Sequence, residues 1–333
     1  MDAIAAPQPV LEALEQLTQA GFEAWAVGGC VRDSLMGRIP HDWDITTSAL
    51  PEQTRRVFAG RRLLETGLRH GTLTLLAGDS GIEITTYRVD GPYSDGRRPD
   101  SVTFTPSLEQ DLARRDFTVN AMVWNPRRGL RDPFGGREDL RRGLLRCVGD
   151  PRSRFDEDGL RVLRAVRFAA QLSFELEPAT AGALHLCLGD LGHVAPERLW
   201  PELQRLVCGP AALPVLLAYG DVMAAALPEL APMLGHPQYN RHHIYDIWEH
   251  TARALGCIEA TPLLRLTMLL HDCGKPSCFP LDSAGVGHFH GHGTAGAAMS
   301  EAILRRLGCP GALRGQICTL VRWHDAPIPP RRP

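Results

Sequence analysis

Two aspartates one residue apart, Asp42-Trp43-Asp44, stand at the start of a short run that reads as a β-strand. A strand sends residues i and i+2 to the same face, so both carboxylates are expected to point one way. Held that close they repel, and a fold tolerates them best when a cation neutralises both. Two divalent ions bridged there would activate a 3′-hydroxyl and stabilise a departing pyrophosphate. The plainer alternative is a pair of exposed aspartates capping a strand end. Glu83 lies on a predicted strand, opposite the face of Ile82 and Ile84. It is either a third carboxylate of the set or part of a solvated strand face. Upstream, Val27-Gly28-Gly29-Cys30-Val31-Arg32-Asp33 reads as a strand running through two glycines into a helix. Such a turn lets backbone N–H groups approach a phosphate unobstructed. Arg32 would add a charge-assisted contact to the same anion. A lone Gly-Gly turn is a weak signal; the aspartate pair behind it strengthens it.

A second constellation is built from histidines, of which the chain has thirteen. His250 lies in Trp248-Glu249-His250-Thr251, and His271-Asp272 follows an apolar helix. His288, His290 and His292 crowd a glycine-rich loop, and His324 precedes Asp325. Adjacent His-Asp at a helix end, joined by distant histidines, can ligate a divalent metal. Any one of these histidines alone would more often be structural; the ordered set favours a metal site.

The elements that must position these residues fall into three parts. An amphipathic helix, Val10-Leu11-x-x-Leu14-x-x-Leu17, closes at Gly21. Strands are predicted over Phe22–Val27, Trp43–Thr46, His70–Leu76 and Ile82–Arg88, with helices over Val31–Met36 and after Pro51, giving a small mixed sheet. The segment Gly91–Pro106 carries three prolines and two glycines and reads as a mobile loop. From Asp156 onward the pattern is helical, with Arg161, Arg164 and Arg167 interleaved at spacing three among Leu160, Leu163, Ala165, Val166 and Phe168. The expected class is α+β: a mixed-sheet head over 1–146, an all-helical neck over 147–220, and a helical C-terminal domain over 221–333.

Composition sets outer bounds. At 333 residues the chain exceeds one compact core, and no apolar run approaches the roughly 20 residues of a membrane span. No basic, then apolar, secretory leader is visible in MDAIAAPQPVLEAL, so a cytoplasmic protein without membrane partners is expected. The nine cysteines include no C-x-x-C pair and are read as reduced, buried small residues. Net charge is −2, yet fourteen arginines face nine acidic residues between Asp111 and Arg167, a stretch suited to phosphates. Lys275 is the only lysine, so arginine abundance by itself is a compositional habit.

At this point the motifs resemble one family. Gly28-Gly29-x-Val31-Arg32-Asp33-x-Leu35-x-Gly37, followed by Asp42-x-Asp44-x-x-Thr47, is similar to the signature of class II tRNA nucleotidyltransferases and bacterial poly(A) polymerases. Those enzymes have a DNA polymerase beta-like nucleotidyltransferase head. Further motifs follow in the family's order. Arg114-Arg115-Asp116-Phe117-Thr118-Val119-Asn120-Ala121 resembles the segment that binds ribose and triphosphate. Asp132-Pro133-Phe134-Gly135-Gly136-x-x-Asp139-Leu140 resembles the springy connection of head and neck. Glu157-Asp158-x-x-Arg161 resembles the motif that selects the incoming base, and Glu197-Arg198-Leu199-x-x-Glu202 the helix that braces it. The resemblance spans roughly Ala24 to Val207.

It implies Mg2+ at Asp42 and Asp44 with Glu83 beside them, triphosphate and ribose at Gly28, Gly29, Arg32, Arg115, Asp116 and Asn120, and further nucleotide contacts from Asp158, Arg161, Arg164 and Arg167. The residue chemistry agrees. Cytosine and adenine both carry an exocyclic amine that Asp158 can accept from, while Arg161 can donate to a ring nitrogen or carbonyl. At i and i+3 on one helix the two would share a face; a surface ion pair worth about 0–1 kcal/mol is the alternative. Gly159 stands where that family usually has proline, which predicts a looser start to the helix.

Leu269-Leu270-His271-Asp272-x-Gly274-Lys275-Pro276 and Gly287-His288-Phe289-x-Gly291-His292 resemble an HD domain, a metal-dependent phosphohydrolase fold. This implies His250, His271, Asp272, His292 and His324 as ligands of Mg2+, Mn2+ or Ni2+, and phosphatase or 2′,3′-cyclic phosphodiesterase activity on tRNA ends. Little sequence follows His324, so either this is a short family member or a C-terminal portion is missing. The implied activity is CCA addition from CTP and ATP to the 3′ end of tRNA. Alternatives are CC-only or A-only addition, poly(A) synthesis, or an HD phosphohydrolase with a silent head. The segment Tyr93–Pro99, a flexible loop of the kind CC-only enzymes are expected to lack, favours retained A-addition.

Overall fold

A computed structural model describes residues 4–78, 80–91, 101–239, 244–283 and 285–326. The loop expected over Tyr93–Pro99 lies outside the described residues. The chain forms two compact units, Met1–Asp158 with Leu176–Ala181, and Gly159–Glu175 with Gly182–Pro333. Among the described residues no helix is long and apolar enough to cross a membrane.

The first unit runs α1 (Gln8–Gln19), β1 (Ala24–Val27), α2 (Gly29–Leu35), β2 (Trp43–Thr47), α3 (Pro51–Val57), β3 (Leu63–Leu64), β4 (Thr72–Ala77), β5 (Ser80–Thr86), β6 (Arg88–Asp90), β7 (Val102–Phe104), α4 (Leu108–Ala113), β8 (Val123–Asn125), β9 (Gly129–Arg131), α5 (Gly136–Arg142) and α6 (Pro151–Glu157). Seven strands form one sheet in the order β3-β4-β5-β2-β1-β8-β9. The β2–β5 pair is parallel and its neighbours are antiparallel. All four residues of β1 are buried because the sheet is covered on both sides. Ala24 and Ala26 join Leu14, Leu17, Val31, Ile45 and Ile84 in one cluster, while Trp25 and Val27 join Tyr87, Leu112 and Val123 in another.

This sheet is larger than expected. β8, a neighbour of β1, is only three residues long, too short for its buried–intermediate–buried alternation to announce a strand. The strand expected over Ile82–Arg88 stops at Thr86, and β6 pairs with β7 instead. Residues 147–158, expected with the neck, pack in the first unit. Val148 is part of its core, and Cys147 N donates to Thr180 Oγ1 at 3.1 Å.

The second unit is helical: α7 (Leu160–Leu172), the later part of α8 (Pro178–Leu186), α9 (Pro196–Val207), α10 (Ala212–Ala218), α11 (Gly220–Ala226), α12 (Ile247–Cys257), α13 (Pro262–Leu270), α14 (His292–Arg306) and α15 (Gly311–Trp323). Trp248 Nε1 on α12 donates to the Leu216 carbonyl of α10 at 3.0 Å, tying the segments before and after residue 220 together.

One expectation about the neck is corrected. Asp158 and Arg161 do not share a helix: α6 ends at Glu157, Asp158 is extended (φ −150°, ψ 104°), and α7 starts at Leu160. Nor is the start of α7 loose at Gly159. A Cβ there would lie 2.7 Å from the carbonyl oxygen of Asp190, so the helix start is pressed against backbone. Gly159→Ala is therefore expected to destabilise the protein by about 1–3 kcal/mol, as overpacking does. Urea unfolding checks this, and an unchanged midpoint would mean that the Asp190 turn yields freely.

Candidate functional site

β1 delivers the chain to Gly28, whose φ of +83° lies in the left-handed region that side chains disfavour. A Cβ there would also stand 3.0 Å from Arg115 Nη1. The backbone at the start of α2 is bare for both reasons. Arg32, buried on α2, donates to Asn120 Oδ1 at 2.6 Å and to Asp33 Oδ1 at 2.8 Å. Asn120 donates to Asp116 Oδ1 at 3.1 Å. The fold thus gathers Gly28, Gly29, Arg32, Arg115, Asp116 and Asn120 at the end of β1, although the sequence keeps them far apart.

The carboxylates are placed by register. Asp44 lies opposite Val27 on one side and opposite Glu83 on the other. Asp42 is exposed just before β2 rather than within it, Glu83 is exposed, and Asp44 is half-buried. Burial pushes the Asp44 carboxyl up to about 6; Arg115 opposes, while Glu83 and Asp42 add to the rise. Desolvation in turn draws the Arg115 guanidinium pKa down, against the pull of Asp111, Asp44 and Asp116. Arg115 is thus the counter-charge that Asp44 feels against Glu83 and Asp42, Arg114 being bound to Asp111. An all-oxygen set with surplus negative charge fits a hard cation such as Mg2+.

Asp111 was not singled out in the sequence, yet it anchors the site from behind. Fully buried, it accepts from Thr46 Oγ1 at 2.9 Å, from Arg88 N at 3.2 Å, and from Arg114 Nε and Nη2 at 3.0 and 2.8 Å. Thr46 is two residues beyond Asp44, so this network fixes β2. The signal was present: Asp111 falls on the apolar face of α4 between Leu108 and Leu112, where a carboxylate demands partners. Asp139 is held likewise, accepting from Thr118 Oγ1 at 2.7 Å and from Arg146 at 3.1 Å.

In the second unit, Arg167 Nε donates to Glu202 Oε2 at 2.6 Å and Arg164 Nη1 to Oε1 at 3.4 Å. Arg167 is 3% exposed, and its guanidinium sits 3.4 Å from the centre of the Phe168 ring. Those contacts give Arg167 a bracing place between α7 and α9. Arg161 is half-buried in the first turn of α7.

The five residues expected of the histidine–aspartate site converge. His271 Nε2 and His250 Nε2 lie 3.2 and 3.5 Å from Asp272 Oδ2; His324 Nε2 and His292 Nε2 lie 3.5 and 3.6 Å from Oδ1. Nδ1 of His271, His292 and His324 contacts the carbonyls of Met268, Phe289 and Val321 at 2.7, 2.6 and 2.8 Å. A carbonyl only accepts, so each Nδ1 carries a proton, which turns Nε2 toward the centre. Burial opposes ionisation of Asp272, yet His271, His324 and Lys275 hold it well below the usual carboxylate range. Both its oxygens are buried, and the Lys275 ammonium stands 2.7 Å from Oδ2. Imidazoles and a carboxylate so arranged fit a divalent transition metal. His288 stays apart, paired with Asp282 at 2.8 Å and stacked on His290.

Residues 24–146 match the poly A polymerase head domain, and 173–234 match the probable RNA and SrmB-binding site of polymerase A. The CCA-adding enzyme of Geobacillus stearothermophilus is 41% identical over 268 residues, covering 78% of this chain and 65% of that one. The CCA-adding enzyme of Leuconostoc mesenteroides is 46% identical over 222 residues, covering 66% and 54%. The chain thus spans between half and two thirds of these relatives' length. The crystal structure of the Bacillus stearothermophilus CCA-adding enzyme in complex with CTP superposes with a TM-score of 0.74 at 34% identity, covering 98% of this chain and 72% of that one.

The Glu202 ion pair yields a test of the neck. Removing one partner of a buried pair leaves an uncompensated charge, so Glu202→Ala is expected to cost about 3–5 kcal/mol. Arg164→Ala, at the half-exposed edge, is expected to cost about 1 kcal/mol or less. Equal losses in urea unfolding would show that Arg167 is not the principal partner.

Proposed function

Since the chain belongs to the family of CCA-adding enzymes, we propose that it adds CMP, CMP and AMP to the 3′ end of tRNA from CTP and ATP, releasing pyrophosphate. The observation that carries the reading is the register that sets Asp44 level with Glu83 and beside the Val27–Gly28 turn, within the segment that matches the poly A polymerase head domain. Asp42 and Asp44, with Glu83, hold Mg2+, whose chemistry there is activation of the 3′-hydroxyl and neutralisation of charge on the leaving pyrophosphate. The backbone at Gly28 and Gly29, with Arg32 and Arg115, receives the triphosphate. Asn120 and Asp116 orient Arg32 and lie ready for the ribose.

Asp158 and Arg161 read the base edge, the aspartate accepting the amine common to cytosine and adenine. Arg164 and Arg167 act through Glu202 to hold α7. We divide the work among a head over 1–146, with which residues 147–158 pack, a neck over 147–220 and an HD domain over 221–333, in a cytoplasmic protein whose partner is tRNA. In the HD domain His250, His271, Asp272, His292 and His324 hold a divalent ion, Mg2+, Mn2+ or Ni2+, for phosphoester hydrolysis.

Purified protein given tRNA lacking its terminal CCA is expected to incorporate CMP with CTP alone, and AMP once ATP is added. Long poly(A) on an unstructured primer, without tRNA preference, would overturn this. Asp42→Ala is expected to remove turnover with every nucleotide while leaving HD hydrolysis intact, and Asp272→Ala the reverse.

Asp158→Ala is expected to relax discrimination against UTP and GTP by about ten- to a hundred-fold, the worth of one well-placed hydrogen-bonding pair. Single-nucleotide incorporation rates check this. One common loss factor for all four nucleotides would make the residue structural and defeat its templating role.

A further inference from the structure

Of the chain's 36 lysines and arginines only Lys275 is a lysine, and it is buried inside the histidine–aspartate cluster. Its Nζ lies 2.7 Å from Asp272 Oδ2 and donates to Gln238 Oε1 at 2.8 Å. The same ammonium stands 5.2 Å from the centre of the Phe289 ring. Gln238 is itself 2% exposed and is held by its Nε2 contact to the Tyr245 carbonyl at 3.2 Å. The three directions of a tetrahedral ammonium are thus matched to a carboxylate, an amide oxygen and an aromatic face. A planar guanidinium on a longer stem cannot meet three divergent partners from this seat, which accounts for a lysine in a chain that otherwise uses arginine.

Asp272 Oδ2 is also the oxygen faced by His271 and His250 at 3.2 and 3.5 Å. Lys275 and a metal ion therefore compete for the same lone pairs. We infer that Lys275 is a built-in counter-ion of this centre: its ammonium holds Asp272 until a divalent cation takes Oδ2, and Gln238 then keeps the displaced ammonium. Lys275 is a positioning residue in this role, and the inference rests on reading the cluster as a metal site. Competition is reciprocal, so the ammonium weakens metal binding by the same factor by which metal expels the ammonium.

Full-length protein stripped with EDTA and titrated calorimetrically with Mn2+ tests this. The binding event that disappears in Asp272→Ala defines the site. At that site Lys275→Met is expected to bind Mn2+ about ten-fold tighter or more, within the usual range of coupling between competing ligands. Its stripped form is expected to melt below wild type and to recover with Mn2+.

A second measurement needs no variant at Lys275. The chain has a single ε-amine, so reductive methylation of wild type, read by peptide mass, reports on Lys275. Saturating Mn2+ is expected to raise its modification. If wild type shows no Mn2+ event dependent on Asp272, the metal reading falls and this inference with it. If Mn2+ binds but Lys275→Met binds it equally or more weakly, or if Mn2+ leaves methylation of Lys275 unchanged or lower, this inference alone is overturned.

Discussion

The crowding of Asp44 and Glu83 on adjacent strands is the constraint around which the head is arranged. Parallel pairing of β2 with β5 makes the two residues level, and Asp42 adds a third charge just before the strand. Left to itself, that arrangement opposes folding, because burial and like charges both disfavour the ionised carboxyl. The surrounding residues keep it in place. Asp111 ties β2 to Arg88 and Arg114 through Thr46, so the strand cannot shift to relieve the repulsion. Of the paired arginines, Arg114 is bound to Asp111, while Arg115 stands by Gly28 near the carboxylates. Adjacent residues of one motif therefore do different work, one as a brace and one as the partial counter-charge.

The second unit solves a similar problem by other means. Asp272 is a single buried carboxylate surrounded by imidazoles and one ammonium, and it is held ionised rather than protonated. Its histidines are fixed by carbonyls three residues upstream, a local helical device that orients each ring. Exposed, crowded carboxylates suit exchange of a hard ion with substrate; a closed nitrogen-rich cage suits a retained one.

Much of this was legible in the sequence because short-range rules govern it. The glycine turn, the i, i+2 aspartates and the His-Asp pair each announce themselves by local spacing. Long-range placement was not legible in the same way. Nothing local reveals that Arg32 reaches Asn120, or that β8 lies beside β1. The helix break at Asp158 is hard to read because Asp-Glu-Asp-Gly at 156–159 carries no apolar pattern to mark it, while the close approach of the Asp190 backbone to Gly159 comes from thirty-one residues on. The nucleotide contact that the resemblance implies for Arg167 says nothing of what packs behind it, here Glu202 and Phe168.

The central claim is that Asp44 is held in a site whose negative charge exceeds its internal compensation. The folded-state carboxyl is raised to about 6, so its ionised form weakens folding as pH climbs through that value, and the effect is complete above it. The direct measurement is the urea midpoint of wild type and Asp44→Asn at pH 8, each with and without Mg2+; any effect of Mg2+ at the histidine–aspartate cluster is common to both proteins. The account predicts that without Mg2+ the variant is at least as stable as wild type, and that Mg2+ stabilises wild type more than the variant. A variant that is less stable without Mg2+, and is stabilised by Mg2+ as much as wild type, would contradict it.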